Sequence, residues 1–166
     1  MTIPIIDLFA GPGGLGEGFS RASDADFRIA ISIEKDGMAH ETLRLRAAHR
    51  ELTRNKSTTD GDWQLWDRLV EELPWNTLFW TLHKCESEAI RDACAHAHRE
   101  AIQLELGPTN RPEVSREIHE RLKPHLNDGA LPSNTVLIGG PPCQAYSVVG
   151  RSRNKGESDY VAEQDH

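Results

Sequence analysis

Ile3-Pro4-Ile5-Ile6-Asp7-Leu8-Phe9-Ala10-Gly11-Pro12-Gly13-Gly14 is the stretch that decides the fold. Residues 3–8 are a short apolar run and read as a buried strand. The run empties into glycines, which let a backbone turn sharply where other residues clash. A short helix is expected over 16–21. Strand, glycine turn and helix together open a parallel α/β sheet. Further on, Phe27-Arg28-Ile29-Ala30-Ile31-Ser32-Ile33 is β-branched in emphasis and predicts a second strand, ended by Glu34. Met38, Thr42, Leu45 and Leu52 then give a helical stripe to about residue 55. Near the other end, Thr135-Val136-Leu137-Ile138 predicts another buried strand, leading through Gly139-Gly140 to Pro141-Pro142-Cys143-Gln144.

Between these strands lies an expected helical insertion, about 56–110, holding all four tryptophans. Trp63, Trp66, Val70 and Leu73 share one helical face. Ile90, Ala93, Ala97, Ala101 and Leu104 share a longer one, predicting a helix over 87–106 that Gly107-Pro108 stops. Pro112 starts a further helix with Val114, Ile118 and Leu122 inward. An Asn127-Asp128-Gly129 turn leads to the last strand. The tail, about 145–166, is polar and without apolar period, and reads as a mobile loop. A parallel strand is ordinarily followed by a crossover helix and more strands, so the chain is expected to be the front part of a larger protein.

At 166 residues and 37% hydrophobic content, the chain suits one domain with a sizeable core. No apolar stretch approaches the roughly 20 residues of a membrane span, and the first strand lacks the basic flank of a signal peptide. Three cysteines are an odd and sparse set, which argues for a reducing compartment. A cytoplasmic protein with no membrane partner is expected. The net charge of −7 is the wrong sign for a nucleic-acid grip. Arg151-Ser152-Arg153-Asn154-Lys155 is the local exception, so a nucleic-acid substrate would be held mostly by other residues.

Two motifs carry chemistry. Gly11-Pro12-Gly13-Gly14-Leu15-Gly16 satisfies G-x-G-x-x-G, and Glu34 stands eighteen residues beyond Gly16. Such a loop lets backbone approach a ligand, and a carboxylate after the second strand grips ribose hydroxyls. The pattern fits dinucleotide and S-adenosylmethionine sites alike. In the other motif, two prolines hold Cys143 on a stiff turn at the carboxyl end of a strand, where open α/β sheets place ligands. A nearby positive charge favours the reactive thiolate, and Arg151 and Arg153 are the candidates to supply it.

At these two motifs the chain resembles the C5-cytosine DNA methyltransferase family. The match lies in Asp7-Leu8-Phe9-Ala10-Gly11-Pro12-Gly13-Gly14 and in Gly140-Pro141-Pro142-Cys143-Gln144-Ala145-Tyr146-Ser147-Val148-Val149-Gly150, in that order, with Glu34 between. The resemblance implies an α/β, class I (Rossmann-like) S-adenosylmethionine-dependent fold with a partial parallel sheet. It implies that Phe9, Gly11, Gly13 and Gly14 line the cofactor, with Leu15 and Pro141 beside them, and that Glu34 binds the ribose. A second acidic cofactor residue is expected after the third strand; Glu105 and Asp62 compete, and Glu105 lies nearer the next strand. Cys143 is implied to attack C6 of a cytosine flipped out of double-stranded DNA. C5 then takes the methyl group from S-adenosylmethionine, leaving S-adenosylhomocysteine, and loss of the C5 proton releases the cysteine. Gln144 and Ser147 match loop positions that hold the DNA and close the site.

The chain departs from the family pattern by lacking its Glu-Asn-Val segment, its later arginine motif, its target-recognition domain and its returning C-terminal segment. By itself it is expected to bind cofactor weakly at best and not to methylate DNA. A restriction-modification context is a family prior. The rivals are an RNA cytosine-5 enzyme of the same fold, an NAD-type oxidoreductase, and an inactive binding module. His83, Cys85, Cys94, His96 and His98 match no familiar zinc spacing, and no metal is expected. Trp63 and Trp66 sit at core spacing, which favours packing over a base-stacking platform. A last strand left unpaired at one edge invites self-association.

Overall fold

A computed structural model describes residues 2–22, 25–126 and 128–141. Cys143, Gln144, Ser147, Arg151, Arg153 and the expected tail lie outside the described residues. Among the described residues, four strands form one parallel sheet: β1 (Thr2–Leu8), β2 (Asp26–Glu34), β3 (Ala101–Gln103) and β4 (Val136–Gly139), in the order β3-β2-β1-β4. The crossovers run through α1 (Gly14–Ser20), then α2 (Gly37–Arg54), α3 (Asp60–Glu72), α4 (Trp75–Leu82) and α5 (Glu88–Glu100), then α6 (Arg111–Leu122) with a 3-10 turn at Lys123–His125. The order is that of an open α/β sheet in which β1 is followed by neighbours on both sides.

β1 and β2 pair from Thr2↔Asp26 to Leu8↔Ile33, with one register shift between Ile5 and Ile6. Ile5, Ile31 and Ile33 are fully buried, as expected of a strand with covered faces. β4 differs from the buried strand that its sequence suggests. It pairs on β1 alone among the described residues, and Leu137 is 65% exposed. Its apolar residues alternate between packed and open positions.

The larger core lies among helices. Leu45, Ala47, Ala48 and Leu52 of α2 pack with Ile90, Ala93, Cys94 and Ala97 of α5, and Leu65, Trp66, Leu78, Phe79 and Leu82 complete the cluster. The alanines bring α2 and α5 close together, and each large side chain buried here contributes about 1.5–3 kcal/mol. Two positions read as inward face the other way: Met38 is 65% exposed and Val70 45%. Trp66 is core and Trp63 packs against it, whereas Trp75 and Trp80 are about two-fifths exposed.

Local chemistry fixes the helix starts. Thr59 and Asp62 form a reciprocal capping box on α3. Ser87 caps α5 by accepting from Ile90 N–H, and its hydroxyl donates to Asp62 Oδ1 at 2.6 Å, tying the two helix starts together. The expected helix over 87–106 is corrected at its end. α5 stops at Glu100, and Ala101 to Gln103 extend along Ser32, Ile33 and Glu34 of β2. Ala101 and Leu104 continue the helical apolar spacing, but the open edge of β2 offers their backbone a ladder instead. His40 Nε2 donates to the Ala101 carbonyl at 3.2 Å and so helps to hold that switch. The third strand therefore falls within the span expected to be a helical insertion.

Candidate functional site

The carboxyl ends of β1, β2 and β3 converge on the glycine turn. Phe9, Gly11 and Gly13 all have left-handed backbone, with φ of 55°, 56° and 86°. Glycine adopts this freely, whereas Phe9 does so at a cost. Gly13 caps α1, and a Cβ there would stand 2.8 Å from Leu43 Cδ1. The turn is pinned from β2: Ala10 N–H donates to the Ile33 carbonyl at 3.0 Å, and Gly11 N–H donates to Glu34 Oε2 at 2.8 Å. The other oxygen of Glu34 accepts from Asp36 N–H at 2.8 Å. Two backbone donors thus orient this carboxylate before any ligand arrives. Each of its oxygens keeps a further lone pair.

Leu104 N–H donates to the Glu34 carbonyl at 3.0 Å and extends β3 by one bond. This step carries the chain to Glu105, whose Oε1 lies 3.2 Å from Lys35 Nζ, both side chains being well exposed. Glu34 and Glu105 line one pocket of about 290 Å³, at the lower end of the roughly 300–1,000 Å³ typical of small-molecule sites. Phe9, Ile33, Leu104 and Leu106 give it apolar walls, and Gly11 and Gly140 bring backbone to it. Gly13, Gly14, Leu15 and Pro141 do not line it. Gly14 instead opens onto a separate depression of about 480 Å³ with Glu17, Arg21, Arg46 and His49.

Asp62 serves the start of α3 instead. Its carboxylate accepts first from the Ser87 hydroxyl and then from Thr59, and these hydrogen bonds hold it below the usual carboxylate range. It lines a groove of about 500 Å³ along α3. Of the two acidic candidates, Glu105 is the one that shares a pocket with Glu34.

Two groups near the site had no role in the sequence reading. Asp7, on β1, is 1% exposed, and among the described residues neither carboxylate oxygen has a hydrogen-bond partner. Burial, and secondarily the charge of Glu34, push its carboxyl up to about 6. An aspartate inside Ile5-Ile6-Asp7-Leu8 is itself the signal. The other is Lys35, whose only mark in the sequence is its place beside Glu34.

The two described cysteines are poor nucleophiles. Both are buried, and burial pushes the Cys94 thiol up to about 12 and raises that of Cys85. Among the described residues, no group of three or more His, Cys, Asp or Glu is placed to hold a metal ion. His83 and His98 pack around Trp80 instead. Among the described residues, no helix is long and apolar enough to cross a membrane.

Over 159 residues the chain is 33% identical to the type II methyltransferase M.Bpa9945I of Bacillus paralicheniformis (strain ATCC 9945a / NCIMB 11709 / CD-2). The alignment covers 91% of this chain and 33% of that relative. This likeness supports a methyltransferase family. A four-stranded parallel sheet with the glycine turn after β1 is consistent with a Rossmann-like methyltransferase fold. The chain spans about a third of the length of the relative it matches. No protein-family model matches it, and no solved structure gives a significant match.

Proposed function

We propose that the full-length protein is a DNA cytosine-5 methyltransferase, cytoplasmic and of restriction-modification type, and that this chain supplies its S-adenosylmethionine pocket and its cysteine loop. The observation that carries the proposal is the meeting of Glu34, Glu105 and Gly140 on one pocket. Gly140 directly precedes Pro141-Pro142-Cys143, and three residues of fully extended chain reach at most about 11 Å. That short reach supports a reading in which a cofactor in the pocket and the Cys143 sulfur engage one pyrimidine.

The residues present suit the cofactor. Glu34, oriented by Gly11 and Asp36, accepts from the ribose hydroxyls. Phe9, Leu104 and Leu106 would pack the adenine, and Glu105 would accept from its amino group. Gly11 and Gly140 admit close approach by backbone. The cofactor supplies a methyl group on a positively charged sulfur. Cys143 supplies the thiolate that adds to C6 of the cytosine and leaves when the C5 proton is lost, so the enzyme ends unchanged. With a net charge of −7, this chain leaves most of the DNA grip to other residues of the full-length protein.

The test is mechanism-based trapping. Fluorine at C5 leaves no proton to lose, so duplex DNA bearing 5-fluorocytosine and S-adenosylmethionine should trap the full-length protein covalently. The adduct should be absent from Cys143→Ser, whose affinity for S-adenosylhomocysteine should stay within about twofold. Equal loss of trapping and of cofactor binding would give Cys143 a structural role. Trapping on transfer RNA but not on DNA would favour the RNA enzyme. The glycine spacing favours an NAD-type oxidoreductase as second reading, and binding of NAD without S-adenosylhomocysteine would support it.

A further inference from the structure

A buried guanidinium joins α1, which follows the glycine turn, to the end of α5, after which β3 begins. Arg50, on α2, is 8% exposed. One terminal nitrogen donates to Glu17 on α1, and the other donates to Glu100 Oε1 at 2.5 Å. Glu17 stands three residues after Gly14, where the glycine turn becomes helix, and its own N–H donates to the Gly13 carbonyl at 3.0 Å. Glu100 is the last residue of α5 and is 3% exposed. β3 begins at the next residue, and Glu105 follows two residues after its end.

One planar side chain therefore clamps the helix behind the glycine turn to the junction that launches the acidic strand end. Stability alone explains this arrangement poorly. A buried carboxylate–guanidinium–carboxylate set is often no more stabilising than an apolar replacement, because each charge gives up its hydration. A guanidinium does provide fixed geometry: its donors diverge in one plane and hold two acceptors at a set separation.

We infer that Arg50 is a positioning residue for the cofactor pocket, setting the separation between the glycine turn that Glu34 pins and the strand end that carries Glu105. The inference rests on the proposal that this pocket holds S-adenosylmethionine. Arg50 is not among the pocket's lining residues; it acts through Glu17 and Glu100.

Two variants of the full-length protein test it. Arg50→Lys keeps a positive charge beside Glu100, but replaces the planar fork that holds two acceptors at a set separation with a compact charge on a flexible stem. Glu17→Gln leaves the buried Arg50–Glu100 pair intact and loosens only the glycine-turn side; with Glu17 18% exposed and Arg50 still paired, this variant should fold even where the first does not. Calorimetry with S-adenosylhomocysteine reads the binding, and methyl transfer at varied S-adenosylmethionine reads KM and kcat. Both variants should weaken binding and raise KM about three- to thirtyfold, with kcat at saturation within about twofold. A purely structural role would lower the melting temperature and the active fraction while leaving Kd and KM of the folded molecules unchanged, and that result overturns the inference. Wild-type protein that binds no S-adenosylhomocysteine would remove the pocket assignment itself. Variants matching a binding-competent wild type would remove only the role of Arg50.

Discussion

Replacing Asp7 with Asn should make the protein more stable at neutral pH and leave it nearly unchanged in acid. Asp7 lies under α1, with Oδ2 3.2 Å from where a Gly16 Cβ would stand, and both of its oxygens lack partners among the described residues. Its carboxyl rises from an ordinary 3.8 to about 6 in the folded protein. Between these values the native state holds a proton that the unfolded chain has lost, so stability falls as pH rises from about 4 to 6. Above 6 the full penalty stands, about 3 kcal/mol for a rise of this size. Asn has the shape of the protonated acid and cannot ionise. Asp7→Asn should therefore gain up to about 3 kcal/mol at pH 7.5 and less than about 1 kcal/mol at pH 4. For a domain of this size that gain corresponds to roughly 6–12 °C in Tm. Urea unfolding of both proteins at the two pH values measures the difference directly. A gain of equal size at both, or a loss at pH 7.5, would mean that the ionised carboxylate is compensated and that the burial argument is wrong.

Other outcomes follow from the same geometry. Glu34→Ala removes the acceptor for the proposed ribose hydroxyls and releases Gly11 N–H, so affinity for S-adenosylhomocysteine in the full-length protein should fall about 10- to 100-fold by calorimetry. Glu105→Ala should cost about tenfold or less, because Glu105 is exposed and already shared with Lys35. Gly13→Ala forces a left-handed residue against Leu43, and should lower the urea midpoint by an amount equivalent to about 1–3 kcal/mol. Leu137→Lys places a charge on β4, which is paired only on β1 among the described residues; if this 166-residue chain self-associates through that strand, the substitution should shift its sedimentation towards monomer.

The parts of the fold legible in the sequence are those where one local rule acts alone. Residues 3–8 are apolar and end in glycines, so β1 and its turn are plain. β2 is equally plain from alternating isoleucines, and Glu34 is marked by its place after them. β3 is hidden because it is three residues long and its apolar positions continue the stripe of α5; only the open edge of β2 separates strand from helix there. The placement of Glu105 follows from that hidden strand, which is why chain order alone left Asp62 in competition. Tertiary packing supplies what remains. Arg50 looks like one more polar residue on an amphipathic helix, and nothing local shows that two carboxylates close over it. Met38 and Val70 fit helical stripes whose partners lie elsewhere, and Leu137 belongs to a strand that, among the described residues, has a neighbour on one side only.

A crystal structure of the full-length protein with S-adenosylhomocysteine tests the central claim most directly. The adenosine should lie against Phe9, its ribose hydroxyls on Glu34 and its amino group near Glu105, with the sulfur directed towards the loop after Gly140. Ligand density in the α3 groove beside Asp62, or a pocket between Glu34 and Glu105 left to solvent at saturating ligand, would contradict it.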